Sequence, residues 1–306
     1  MAQLGLIECA ALSENTGFGT CFLDPKKIEG AIISDKPFSL TKEEMADLQN
    51  SLQSKFQSAS KSNRIYPIHG FAAAEDQSEE ATIETLDYGD KTFIKEGDYD
   101  WRFRFLNGGV CLLTRLQAFN GQGKHVMFYD NTTLFGYKDG TSLRSVPLNF
   151  FLAEKWQPAT GSTGAMYRVR FSFKPEYINQ GLGFVKYDFI MAELKGLNNV
   201  ELVVLNPEDF PSTINVQALA GCSGENLFDT YSEEMEDDEL WLATDEDGEE
   251  VTISGVVADD ATKSWEVSFS GSPAYVKLTW VNPNLLSDAG IDGYEAKTTV
   301  IEEVES

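Results

Sequence analysis

Y-D-W-R-F-R-F-L (99–106), N-G-G (107–109) and V-C-L-L-T-R-L-Q-A-F (110–119) form the stretch whose reading decides the fold. In its first part Tyr99, Trp101, Phe103 and Phe105 alternate with Asp100, Arg102 and Arg104. Successive side chains of a strand point to opposite faces. One face of this strand is therefore aromatic and the other charged. Asn107-Gly108-Gly109 tolerates positive φ and predicts a hairpin turn. The return strand would put Val110, Leu112, Thr114, Leu116 and Ala118 on one side, with Cys111, Leu113, Arg115, Gln117 and Phe119 on the other. Tyr167, Val169, Phe171 and Phe173 alternate with Arg168, Arg170 and Ser172, repeating the pattern of aromatic inside and arginine outside.

Around this stretch the chain reads as mainly β. A meander is expected over 125–148, with turns at 130–131 and 138–140. Further strands are expected at 186–194, 200–205 and 214–218. One helix is expected over 41–59. Thr41 and Glu44 have the spacing of a capping box, Leu40 and Met45 that of a hydrophobic staple, and Met45, Leu48, Leu52 and Phe56 make one apolar stripe. Residues 1–38 read as a strand or two (4–12), a glycine-bearing turn (15–20) and an irregular arm. Residues 60–98 read as connection with a short strand near 81–86, and the polar run 74–80 as a loop. Residues 154–166 read as a second long loop.

Length and charge divide the chain. At roughly 150 residues per domain, 306 residues suggest two domains. From Glu225 onward there are 22 acids against three lysines, which leaves 27 acids and 21 bases for the rest of a chain with net charge −25. That step places an acidic C-terminal domain at 221–306, after a domain at 1–220, with Gly221-Cys222-Ser223-Gly224 as hinge. The expected strands at 240–243, 251–257, 265–269, 275–281 and 294–301 make the second domain a small immunoglobulin-like sandwich. The first is expected to be an antiparallel sandwich or barrel-like meander with one packed helix.

Motifs for chemistry are scarce. Two histidines, His69 and His125, and four cysteines without a C-x-x-C exclude the common zinc and redox signatures. The cysteines are expected as reduced thiols, with a disulfide between distant cysteines as the alternative. Gly17-x-Gly19 lacks the frame of a phosphate loop and reads as a turn. There is no G-x-S-x-G, and 49 acids make any carboxylate pair uninformative for a glycosidase. The acidic runs 233–239 and 245–250 offer oxygen ligands to calcium, but their spacing is not that of an EF-hand, and a solvated face explains them. No catalytic, cofactor-binding or metal-binding residue is assigned. No run of about 18 apolar residues is present, and residues 1–17 lack the basic start of a signal peptide. The acidic surface repels phosphate backbones and anionic membranes. The four strand arginines, Arg102, Arg104, Arg168 and Arg170, are either ordinary solvent-facing residues or a subunit interface that meets carboxylates of a second copy.

The helix at 41–59, the arginine-faced strands and the appended acidic sandwich together resemble bacteriophage tail tube proteins and related ring-forming virion proteins. The resemblance implies a homo-oligomeric ring, often a hexamer, stacked into a tube around a DNA channel and joined by other tail or neck proteins. DNA would pass without specific binding, and no membrane or cofactor is implied. It also implies that loops such as 60–80 or 154–166 bridge subunits or rings. Two other classes compete. One is an extracellular or surface β-sandwich module binding carbohydrate, with Trp156, Trp241 or Trp280 as exposed aromatics if these are not core. The other is a carboxylate-based glycoside hydrolase.

Overall fold

The computed structural model describes residues 7–8, 23–85, 87–105, 109–160, 164–179 and 181–302. The expected turn at 15–20 and most of the strand at 4–12 lie outside the described residues, as do Asn107 and Gly108. The chain is mainly β and divides into two compact units, one within 1–56 and 60–195, the other within 57–59 and 196–306.

In chain order, the first unit contains β1 (Ile7–Glu8), β2 (Gly30–Ser34), β3 (Ser39–Leu40), α1 (Lys42–Ala46), α2 (Leu48–Phe56), β4 (Ile65–His69), β5 (Phe71–Asp76), β6 (Thr82–Thr85), β7 (Lys91–Lys95) and β8 (Tyr99–Phe105). It continues with α3 (Gly109–Gln117), β9 (His125–Tyr129), β10 (Thr133–Asp139), β11 (Ser142–Arg144), β12 (Val146–Pro147), β13 (Phe150–Ala153), β14 (Tyr167–Phe173), α4 (Glu176–Asn179) and β15 (Leu182–Lys186).

A nine-stranded sheet runs β1-β15-β10-β9-β2-β4, with β11, β12 and β3 attached, and a four-stranded sheet runs β13-β14-β8-β5. The two sheets share one core. Ala31 and Ile33 of β2 and Val126 and Phe128 of β9 pack with Trp101, Phe103, Phe105, Val169, Phe171 and Phe173. The intervening residues Ile32 and Met127 belong to a second core with Met45, Leu48, Leu52 and Phe56. The period of two thus sends alternate residues to opposite layers: helices on one face of the large sheet, the small sheet on the other. β2 is buried at every position. A strand covered on both faces reads as a continuous apolar run rather than an alternation, so the expected irregular arm is instead a central strand.

The helix at 41–59 is two segments. The capping box is present, with Thr41 N–H donating to Glu44 Oε2 at 2.9 Å and Glu44 N–H to Thr41 Oγ1 at 3.3 Å. Asp47, at φ −125° and ψ 61°, separates α1 from α2.

The predicted hairpin at 99–119 does not form. β8 is a strand, but 109–117 is α3, with Leu113 and Leu116 buried and Val110 56% exposed. An apolar i, i+3 pair suits a helix as well as a strand, and Thr114 Oγ1 donates to the Val110 carbonyl one turn back at 2.9 Å. β8 instead pairs antiparallel with β14, placing Trp101 opposite Phe171 and Phe103 opposite Val169. On its other side lies β5, so the segment expected as a loop at 74–80 begins as strand and continues the ladder, with Gln77 N–H donating to the Asp100 carbonyl at 2.8 Å. Gly70, at φ +80°, turns the chain from β4 in the large sheet into β5 in the small one.

The meander at 125–148 is present as β9 to β12. The strand expected at 186–194 falls earlier, as β15, and residues 191–193 form a single 3-10 turn.

The second unit contains β16 (Asn198–Val204), β17 (Thr213–Ala220), β18 (Glu225–Asn226), α5 (Phe228–Tyr231), β19 (Trp241–Thr244), β20 (Ile253–Asp259), β21 (Ser264–Phe269), β22 (Tyr275–Trp280), α6 (Pro283–Asp288), β23 (Tyr294–Ala296) and β24 (Thr299–Glu302). Sheets β20-β21-β17-β16-β23 and β19-β22-β24 enclose one core built on Trp241, Trp265 and Trp280. The boundary falls at 195/196 and not at Gly221, because β17 pairs with β21 and carries β16 into this sandwich. Gly221–Gly224 is a turn between β17 and β18. The hairpin expected over 240–257 splits: Asp245 accepts from Glu249 N–H and closes the turn, but β19 and β20 leave it for different sheets.

Cys111 and Cys222 each take part in a disulfide, so the reduced thiols expected of these two are not found. Pairing needs Cα atoms about 5.5 Å apart, a property of the fold that spacing along a chain does not reveal. Cys9 and Cys21 lie outside the described residues.

Candidate functional site: an arginine face

The two aromatic strands lie side by side, so their outward residues form one surface. Asp100, Arg102 and Arg104 of β8 stand opposite Ser172, Arg170 and Arg168 of β14. The four arginines picked out by alternation are therefore a two-by-two array. Like charges directly opposite destabilise a sheet, and carboxylates offset part of that cost here. Arg170 makes a two-pronged contact with Asp100, its Nε donating to Oδ1 at 2.7 Å and its Nη2 to Oδ2. Arg102 reaches Glu75 on β5 at 3.1 Å and also pairs with Glu154, just beyond β13. Hydrogen bonds donated to Glu154 and to Asp100 hold the Arg102 and Arg170 guanidinium groups even more firmly in the charged form. Arg168 donates to Gln157 Oε1 at 2.9 Å and to the Met166 sulfur.

All four arginines are half-buried, and Glu154, Gln157 and Met166 lie against Arg102 and Arg168. The expectation of plain solvent-facing arginines does not hold, and two of them find carboxylates in their own chain. Glu75, Glu154 and Gln157 carry no pattern of their own in the sequence. Strand register and the path of the loop bring them in.

Asp100 is the charged group most enclosed on this face, its side chain 9% exposed against 32% for Arg170. Asp100→Asn removes the charge that matches Arg170 and leaves that guanidinium partly desolvated. Removing one partner of a buried pair costs roughly 3–5 kcal/mol, and partial exposure of Arg170 lowers this to about 2 kcal/mol. Urea unfolding of the variant, followed by aromatic fluorescence, checks the figure.

The histidines serve the fold. His69 Nε2 donates to the Leu194 carbonyl at 3.0 Å, and its Nδ1 accepts from Tyr129 Oη at 2.5 Å. A Cβ at Gly30 would lie 2.0 Å from Tyr129 Oη, so glycine is required there. Burial pushes His69 below its ordinary value of 6.5, against a weaker opposing effect of the Leu194 hydrogen bond, and burial also pushes the Tyr129 hydroxyl upward. Neither offers a free acid or base at neutral pH, although Tyr129 borders a cleft of about 380 Å³ with Glu29, Tyr187 and Phe189.

The unfolded state thus binds a proton near pH 6.5 that folded His69 refuses. Stability is complete above that pH and falls as pH drops from 6.5 toward the depressed folded value. His125, pushed down by burial as well, adds to the same slope. Melting temperatures at pH 8, 6.5 and 5 are expected to decline, and less steeply in His69→Gln, whose amide can replace both hydrogen bonds.

The acidic runs are turns on the second unit. Met235, in the middle of 233–239, is fully buried while most of its acidic neighbours face outward. Glu236 Oε1 accepts from Ala258 N–H at 3.0 Å. No group of three or more His, Cys, Asp or Glu among the described residues is arranged to hold a metal ion.

A second feature was only half visible in the sequence. β6 and β7 form a two-stranded sheet of their own, with Ile83 opposite Phe93. Every one of their residues is exposed. Ile83 is 57%, Phe93 62%, Ile94 54% and Tyr88 77% exposed. The strand near 81–86 is legible in the sequence, whereas its return as β7 is not. Residues 60–80, expected as a long loop, are largely β4 and β5, and the exposed arm is β6–β7.

Comparison of the chain with protein-family models, with curated proteins and with solved structures gives no match.

Proposed function

We propose that this protein is a self-assembling structural subunit of a bacteriophage tail, a ring or tube protein surrounding a DNA channel. The observation that carries self-assembly is the β6–β7 arm. A two-stranded hairpin that pairs with no other strand among the described residues is at best marginally stable in water, and a cluster of exposed large apolar side chains marks an interaction site. The occupant proposed for it is a second copy. Lys91 and Lys95 on the arm have no ion pair among the described residues, whereas the chain as a whole carries 49 acids against 24 bases. An arm with unpaired lysines and apolar tips complements the acidic surface of another copy.

The tail setting rests on the resemblance carried by the helix at 41–59, the arginine-faced strands and the appended acidic sandwich. A net charge of −25 suits a channel that DNA traverses without sticking. Native mass measurement and negative-stain microscopy of the purified protein test this reading. Rings or stacked rings are expected, and a strict monomer at high concentration would overturn it.

A surface or extracellular binding module is the second reading, favoured by the disulfide-bonded Cys111 and Cys222, since disulfides persist in oxidising surroundings. Virion surfaces are among those surroundings, so the disulfides do not separate the two. Of the three tryptophans considered for such a module, Trp241 and Trp280 are core and Trp156 is 45% exposed. A glycan array probed with the wild type and Trp156→Ala distinguishes this reading, which requires a glycan lost on substitution.

A further inference from the structure

The arginine face is balanced on one half and not on the other. Asp100, Glu75 and Glu154 neutralise Arg170 and Arg102. Arg104 and Arg168, directly opposite each other on β8 and β14, have no carboxylate within ion-pair range among the described residues. Arg168 spends its two Nη groups on Gln157 and Met166, which carry no charge. Its Nε is buried without an acceptor, as is that of Arg102, so what separates the two halves is the missing carboxylate. Arg104 has a buried Nε without an acceptor as well, and no side-chain hydrogen bond to any described residue. Its Nη2 lies 3.9 Å from where a Cβ on Gly164 would sit, so the backbone at Gly164 comes close to the guanidinium.

Directly opposed residues of an antiparallel pair have Cβ atoms about 5 Å apart. Two guanidinium groups so placed repel each other, and half-burial removes part of the water that would screen them. An anion held by both reverses the sign of that interaction. The planar fork of arginine fits a carboxylate with two parallel N–H···O bonds. Phosphate polymers are disfavoured by the net charge of −25, whereas every copy of the chain presents surplus carboxylates.

We propose that Arg104 and Arg168 form a receptor for one carboxylate, supplied by an acidic side chain of a second copy of this chain. The proposal rests on the self-assembly reading above and narrows it. Of the four arginines, Arg102 and Arg170 hold the fold together, while Arg104 and Arg168 are kept for the neighbour.

Two measurements on the full chain test it. In the first, sedimentation velocity compares the wild type with R104Q/R168Q and with the arm variant I83S/F93S. The receptor variant is expected to weaken self-association by at least about tenfold, the effect of truncating one side of an enclosed charge pair. Its melting temperature is expected to hold or rise, because a like-charge contact has gone. In the second, the Nε–H resonances of arginine in the dilute wild type are followed during titration with sodium acetate, with sodium phosphate, and with sodium chloride at matched ionic strength. Acetate is expected to shift Arg104 and Arg168 saturably, with no such effect from chloride.

Assembly unchanged in R104Q/R168Q but lost in I83S/F93S would overturn the receptor and leave self-assembly standing. A wild type that stays monomeric while acetate binds would overturn the second copy as the source, together with the self-assembly reading, and leave a site for a small carboxylate. Tighter saturation by phosphate than by acetate would overturn the choice of carboxylate. No saturable shift from either anion would overturn the site itself.

Discussion

Phe103→Ala is expected to lower the stability of the first unit by about 4 kcal/mol, the cost of emptying a fully enclosed phenylalanine site. Phe103 is completely buried. It stacks on Phe71 at a centroid distance of 4.6 Å, and meets Phe171 edge-on at 5.8 Å and Phe128 at 5.9 Å. Those three rings come from β5, β14 and β9, so the cavity would open where the two sheets meet. Rings held on three strands of two sheets cannot collapse into the space without moving β8. In a unit of this size such a loss lowers the melting transition by about 10 °C. Val110→Ala is the control. Val110 would point inward had 110–119 formed a returning strand, but it is 56% exposed on α3 and its truncation is expected to change stability by less than about 0.5 kcal/mol. Calorimetry of the two variants separates the observed strand-then-helix from the hairpin expected of this stretch.

Ile83→Ser combined with Phe93→Ser is expected to weaken subunit association by roughly a hundredfold or more, since buried aromatic and aliphatic anchors dominate interface energies. The two side chains are cross-strand neighbours on the arm and present one apolar patch. Neither contributes to a core cluster of the first unit. The melting temperature of the dilute protein is therefore expected to stay within about 2 °C of the wild type. Sedimentation velocity and thermal unfolding of the same sample check both halves. A variant that assembles normally would remove the arm from the account.

What the sequence made legible is what short-range periodicity controls. The alternation of 99–105 and of 167–173 told correctly which side chains face the core, and the capping box located the start of α1. The pairing of these two strands with each other was not legible, because it joins segments more than sixty residues apart and depends on the sheet as a whole. β2 was missed for a related reason: burial on both faces erases alternation. The run 110–119 reads as a strand but is a helix, because Leu113 and Leu116 satisfy a helical spacing as readily as a strand, and the preceding Asn-Gly-Gly has the composition of a hairpin turn. The charge step at Glu225 is real in composition but does not coincide with the structural boundary, since β16 and β17 are ordinary strands that become part of the acidic sandwich only through long-range pairing. For the arginine face, the four residues were visible and their partners were not. That Arg102 and Arg170 meet carboxylates of their own chain while Arg104 and Arg168 meet none among the described residues follows from register.

Amide hydrogen exchange across the arm, residues 82–95, measured in the concentrated and in the dilute protein, tests the central claim most directly. An isolated hairpin exchanges quickly, and one buried against a second copy does not. Slow exchange that appears with concentration and is confined to the arm and the surface receiving it is the result expected of a self-assembling subunit. Equally fast exchange at both concentrations, under conditions where the core strands stay protected, would contradict it.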